Sequence, residues 1–120
     1  MPWNANDLTA LSGASEIALA TERPDGTTRR AVPIWVVRVG NDLYIRSYNG
    51  PGGSWYHQAR RHPYAHLRAA GVALRVHLEQ VGAGVPGVDE AYWTKYGRRG
   101  YGAAMTTPDA ATTTQRLEPA

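Results

Sequence analysis

One stretch decides the fold: Arg30-Ala-Val-Pro33-Ile-Trp35-Val-Val-Arg-Val39-Gly40-Asn41-Asp-Leu-Tyr-Ile-Arg46-Ser47-Tyr-Asn-Gly50-Pro-Gly52-Gly53-Ser54-Trp55-Tyr56-His-Gln-Ala-Arg-Arg-His-Pro63. Residues 34–39 are apolar and β-branched, Gly40-Asn41 has the chemistry of a two-residue hairpin turn, and residues 42–47 alternate again. Three glycines, Gly50, Gly52 and Gly53, follow around Pro51. That run cannot continue a strand but can bring bare backbone N–H groups close to a ligand. Ser54 reads as the N-cap of a helix over residues 54–61, which ends at His62 because a residue before proline is disfavoured in a helix. The positive end of that helix faces the glycine loop, with Arg46 on the incoming strand, and such an end suits an anion, most simply a phosphate.

Outward from this core, residues 4–13 carry Leu8 and Leu11 at helical spacing, with Asn6 or Asp7 as a cap. Residues 15–21 alternate as a first strand, and Pro24-Asp25-Gly26 makes a turn. Strands are expected over residues 29–39 and 42–47. Two more, 64–69 and 72–81, are joined by Ala70-Gly71. Residues 82–87 form a Gly/Pro linker, and a helix runs from 88 or 89 to Tyr96, stopped by Gly97. Residues 98–108 read as a mobile loop, and the threonine-rich segment 111–117 as a last strand. The expected fold is mainly β with peripheral helices: a small six-stranded antiparallel barrel, closed so that sheet edges are hidden.

Length and composition bound the function. A chain of 120 residues fits one domain over residues 1–120 with a modest core, and pairing with a second copy is a common way to bury more. There is no cysteine, which excludes disulfides, thiolate metal sites and thiol nucleophiles. No apolar run is long enough for a membrane span, and the opening Met1-Pro2-Trp3-Asn4 lacks a basic segment followed by an apolar one, so a cytoplasmic protein is expected. Thirteen basic residues against ten acidic give a net charge of +3, with Lys95 the only lysine. Scattered arginines without a recognised motif make a weak nucleic-acid footprint, and the nucleic-acid reading ranks low. The four histidines do not have metal-site spacing, and no Gly-x-Ser-x-Gly elbow is present.

Several residues carry two readings. Arg30 and Arg46 are either anion ligands or strand arginines paired with carboxylates. Pro33 marks an edge, a bulge or backbone turned toward a ligand, or simply a strand start. Trp35 and Trp55 flank a planar ring or fill the core. The loop over residues 47–54 is an anion cradle or an ordinary turn. The late cluster Tyr92, Tyr96, Arg98, Arg99 and Tyr101 lines a cleft, stacks on bases or, by default, packs at a subunit contact.

The Arg-x-x-Pro before a hydrophobic strand, the hairpin, Ser-x-x-Gly, Gly-Ser-Trp-Tyr and the closing x-Pro together resemble the flavin-binding split barrels. They resemble most the deazaflavin-dependent nitroreductase-like branch and, through Ala-Tyr-Trp-Thr-Lys-Tyr-Gly, the domain-of-unknown-function family 2255. The resemblance covers most of the chain. It implies a split-barrel homodimer that binds FMN or the 8-hydroxy-5-deazaflavin cofactor and transfers a hydride to or from a small molecule. The cofactor residues it implies are Arg30, Pro33, Trp35, Arg46, Ser47, Gly52, Gly53, Ser54, Trp55 and Tyr56, with no catalytic residue assigned. Such chemistry belongs to the cofactor, so the absence of an acid–base constellation does not argue against an enzyme. Two departures bear on the cofactor: Thr27-Thr28-Arg29 stands where the deazaflavin branch has a lysine, and His57-Gln58 where it often has Asn. The alternative is a non-enzymatic split-barrel dimer that has lost its cofactor and binds another small ligand.

Overall fold

The computed structural model describes residues 3–120; Met1 and Pro2, part of the opening segment on which the cytoplasmic expectation rests, lie outside them. Among the described residues, seven strands form one antiparallel sheet: β1 (Ile17–Thr21), β2 (Val32–Ile34), β3 (Val36–Val39), β4 (Asp42–Ile45), β5 (Tyr64–Ala69), β6 (Val72–Gln80) and β7 (Gln115–Pro119). Their spatial order is β2-β1-β5-β6-β7-β4-β3. The two edge strands are the two halves of the single strand expected over residues 29–39. The chain leaves β1's side of the sheet at Ile34, passes Trp35, and joins β4 at Val36. One continuous segment therefore bridges both edges and curls the sheet into a nearly closed barrel.

Here the six-strand expectation is corrected. Pro33 pairs with Ala18 in β2, where an edge strand tolerates its missing N–H. Beyond it the segment changes partner, and a change of partner divides one strand into two.

Side chains alternate inward and outward along β1, β5, β6 and β7. The inward set fills the barrel with Leu19, Leu43, Ile45, Leu67, Val76, Leu78 and Leu117, all buried. Helix α1 (Ala5–Gly13) packs Leu8 and Leu11 against this core. Its N-cap is Asn4, whose side chain accepts from the Asp7 amide at 2.7 Å, rather than Asn6 or Asp7. Just before it, the Trp3 indole N–H donates to the Leu117 carbonyl at 3.0 Å.

Three further helices cover β3 and β4 or lead back to the sheet: α3 (Val88–Tyr96), α4 (Tyr101–Met105) and α5 (Pro108–Thr112), while α2 (Ser54–Arg61) precedes β5. Val37 and Tyr44 pack under Val88, Tyr92 and Met105 in a second cluster, so β3 and β4 are covered on both faces. The stretch read as a mobile loop contains α4. The expected last strand begins late, because Thr107 caps α5 by accepting from the Ala110 amide and Pro108 occupies its first turn. Among the described residues no helix is long and apolar enough to cross a membrane.

Candidate functional site

Where β2 and β3 part, a cavity of about 590 Å³ opens between the inner end of β1, residues 29–35, the end of β4, the start of α2, and α4. Eight of the ten residues singled out from the sequence line it: Arg30, Pro33, Trp35, Arg46, Ser47, Gly53, Ser54 and Trp55. Gly52 and Tyr56 do not. Gly52 sits exposed in a 3-10 turn, Gly50–Gly52. Tyr56 is buried behind the helix, with Arg60 over its ring at 5.7 Å.

The glycine loop shapes one wall. Gly53, not Ser54, is the N-cap of α2, with extended backbone and no side chain to offer. The first-turn N–H groups of α2 therefore have no side-chain cap, and no acidic residue stands in that turn. A Cβ on Gly53 would fall 2.3 Å from Ser47 Oγ, so only glycine fits there without a shift. The Ser47 amide donates to Thr113 Oγ1 at 2.8 Å. Its hydroxyl is buried and, among the described residues, has no hydrogen-bond partner. A buried orphan hydroxyl is costly unless something satisfies it.

Of its two readings, Arg46 makes the carboxylate pair while still lining the cavity. Only 2% exposed, it donates from Nε to Thr114 Oγ1 at 2.9 Å and from Nη1 to the Met105 carbonyl at 3.0 Å and to Asp89 Oδ1. Its guanidinium is matched by a carboxylate and ties the end of β4 to α3, to α4 and to the residue before β7. Among the described residues, positive charge without a carboxylate partner comes from Arg30, exposed at the rim, and from Arg29, whose Nη1 donates to the Glu22 carbonyl at 3.2 Å. Among the described residues, no carboxylate lines the cavity.

The opposite wall is aromatic. Trp35 has the ring of Tyr101 at 4.3 Å and 38°, Tyr96 at 5.9 Å and 41°, and Tyr48 edge-on at 5.8 Å. Tyr48 and Tyr101 are both exposed. The late aromatic cluster thus divides: Tyr101 lines the cavity, Tyr92 is buried below it, and Arg98 lies 4.4 Å over Trp93 on the outside. Sequence reasoning missed Thr21, Tyr48, Gln58 and Met105 as lining residues. Thr21 Oγ1 donates to Gln58 Oε1 at 2.8 Å, joining β1 to α2, a pairing 37 residues apart with no local signal. Among the described residues, no set of three His, Cys, Asp or Glu side chains is placed to hold a metal ion.

Residues 7–117 match the model of a family described as an uncharacterized protein conserved in bacteria, DUF2255. No curated protein matches the chain in sequence. Solved structures do match in fold. A conserved hypothetical protein, Rv2991 from Mycobacterium tuberculosis, is 15% identical with a TM-score of 0.57, over 98% of this chain and 79% of that one. A protein named F420 reductase is 19% identical with a TM-score of 0.55, over 100% and 96%. A putative 5-nitroimidazole antibiotic resistance protein from Bacteroides thetaiotaomicron is 12% identical with a TM-score of 0.55, over 95% and 77%. At these identities the likeness is one of fold.

Proposed function

We propose that this chain, which belongs to the bacterial DUF2255 family, holds a flavin or deazaflavin in the cavity at the barrel's split and passes a hydride between that ring and a small molecule. The observation that carries the reading is a convergence. An uncapped helix N-terminus and an orphaned buried hydroxyl meet in a single cavity whose facing wall is indole and proline. Amides at a helix N-terminus suit a phosphate, and Ser47 Oγ would gain from it the partner it lacks. The fold shared with an F420 reductase supports the same class of ligand.

When bound, the cofactor's ring supplies the electron-pair chemistry. The protein's own part is to seat and shield. Gly53 keeps the nook beside Ser47 clear, Pro33 and Trp35 offer apolar walls, and Arg29 and Arg30 add positive charge without a lining carboxylate to oppose it. A single terminal phosphate, as in FMN, needs only the α2 end. The longer acidic tail of the deazaflavin cofactor would also engage the two arginines. The whole chain acts as one domain in this reading, and as a homodimer, since a small chain gains core by pairing.

A specific observation favours a second reading. The Tyr101 ring already lies against Trp35, as it would in a small-ligand-binding module that no longer takes a flavin. Titration of the purified protein with FMN and with the deazaflavin cofactor, followed by tryptophan fluorescence, separates the two. The first reading expects saturable quenching by one of them. It also expects Gly53→Asp, which crowds Ser47 and puts a carboxylate at the helix N-terminus, to weaken binding about tenfold or more, roughly 1.4 kcal/mol. No response to either cofactor from the folded protein would overturn it in favour of the module.

A further inference from the structure

Trp35 stands between two strands and has a partner in neither ladder. β3, which follows it, is an edge strand, and an edge leaves a row of backbone groups without sheet partners. Two consecutive carbonyls at this break are met from a single helix. The Tyr92 hydroxyl donates to the Trp35 carbonyl at 2.9 Å, and the Lys95 ammonium donates to the Val36 carbonyl at 2.7 Å. Tyr96 packs its ring on the Trp35 indole and donates its hydroxyl to the Ser15 carbonyl at 2.6 Å. Positions 92, 95 and 96 fall on one face of α3, at the i, i+3 and i+4 spacing that makes helix side chains neighbours.

We propose that Tyr92 and Lys95 are positioning residues for the cavity: they supply at the split the hydrogen bonds that a neighbouring strand would supply, and so fix where the Trp35 indole stands in the wall. Tyr92 is fully buried yet keeps a hydroxyl where phenylalanine would fill nearly the same space, and that hydroxyl is spent on Trp35. Lys95 is the only lysine in the chain. Half-buried, it pairs with no carboxylate among the described residues and is spent on the next carbonyl. The bracket also shares a base with the cavity floor. Asp89, in the first turn of α3, holds Arg46, which in turn holds the Met105 carbonyl at the end of α4. A shift of α3 would therefore reach Trp35 directly and also through α4, whose Tyr101 ring lies 4.3 Å from the Trp35 ring. The inference rests on the flavin reading only for what the indole faces, not for how the indole is held.

The test uses the whole chain labelled with 5-fluorotryptophan and read by fluorine NMR without cofactor, then titrated with FMN and the deazaflavin cofactor. Trp35's resonance is assigned by its loss in Trp35→Phe. Lys95→Met and Tyr92→Phe are each expected to shift or broaden that resonance while Trp3 and Trp55 keep theirs, and Lys95→Arg to return it most of the way. The Kd of whichever cofactor binds should rise about three- to tenfold in the first two variants. A Trp35 resonance unmoved in Lys95→Met, or all resonances moving together as in a general loosening, would overturn the proposal. Should Tyr92→Phe fail to fold, the half-exposed Lys95 variant decides alone. Absence of binding by both cofactors would sink the flavin reading and leave the positioning claim to the resonance.

Discussion

The closed side of the barrel and its split side are built from similar apolar, β-branched sequence and end up governed by different chemistry. In β1, β5, β6, β7 and β4 every strand has two neighbours. The ladder satisfies the backbone, and the inward side chains need only be apolar and of the right size. Leu19, Leu67, Val76, Leu78 and Leu117 do that, each 2% exposed or less. On the split side, β2 and β3 are three and four residues long with one neighbour each. There the backbone needs partners from elsewhere, so Tyr92 and Lys95 reach in from α3. The cavity opens where the ladder stops, and the polar side chains gather in the same place for the same reason.

The largest test of that contrast is a pair of core truncations. Leu78→Ala leaves a void walled on all sides by the closed barrel and is expected to cost about 2–5 kcal/mol in urea unfolding. Ile34→Ala removes a similar volume from a wall that already borders the cavity, where water can enter, and should fall at or below the bottom of that range. Equal losses at the two positions would mean that the split is as tightly sealed as the barrel and would remove the basis of the comparison.

A smaller effect sharpens it at the closed side's rim. Glu22, just past β1, is buried and accepts from Arg75 Nε and Nη2 at 2.9 and 3.0 Å, with His62 Nε2 at 3.0 Å and His66 Nε2 at 3.1 Å. It joins the end of α2 to β1, β5 and β6, and it does with charge what the ladder does elsewhere. The Arg75 guanidinium, then His62, hold its carboxyl far below the ordinary 4.5. A carboxyl depressed in the folded state contributes stability that is fully present above its unfolded value and drains away as pH falls below it. Glu22→Gln is therefore expected to lower the thermal midpoint at pH 7 by several degrees and to flatten the loss of stability on acidification. If wild type and variant declined in parallel from pH 6 to pH 3, the cluster would carry none of the acid sensitivity.

Much of this was legible in the chain, and the failures share a cause. The hairpins at Gly40 and Gly71, α2, α3 and the alternation in β5 and β6 are local patterns, and local patterns survive folding. α5 has a local mark too, Thr107-Pro108-Asp109, an N-cap followed by proline, which a loop over 98–108 and a threonine-rich strand over 111–117 leave out. The seventh strand had none. Only Pro33 hinted that residues 29–39 lie at an edge, and that the segment changes edges at Trp35 is a property of the whole sheet. The candidate cavity followed the same rule. Ser47, Gly53 and Ser54 were found because loop and helix start are adjacent in sequence. For Arg46 the sequence leaves ligand and ion-pair readings equally open, because its carboxylate, Asp89, lies 43 positions away.

The smallest effect concerns the split side alone. Burial lowers the Lys95 ammonium from its ordinary 10.5 to about 8, because the helix and strand around it withhold the water a cation needs. Between those two values the unfolded chain holds a proton that the folded one has released, and stability must then rise with pH. The slope has the same sign as that of the Glu22 effect, whose contribution is already complete in this range. Because Lys95 is half-exposed, solvent screens much of the gain, which makes the difference between wild type and Lys95→Met the quantity to follow. Measured by urea unfolding from pH 7 to pH 9.5, below the range in which Tyr96, raised by burial to about 12, begins to ionise, that difference should climb steadily in favour of wild type. A flat difference would mean that Lys95 meets water freely when folded, and the split would then be more open to solvent than its hydrogen bonds to α3 imply.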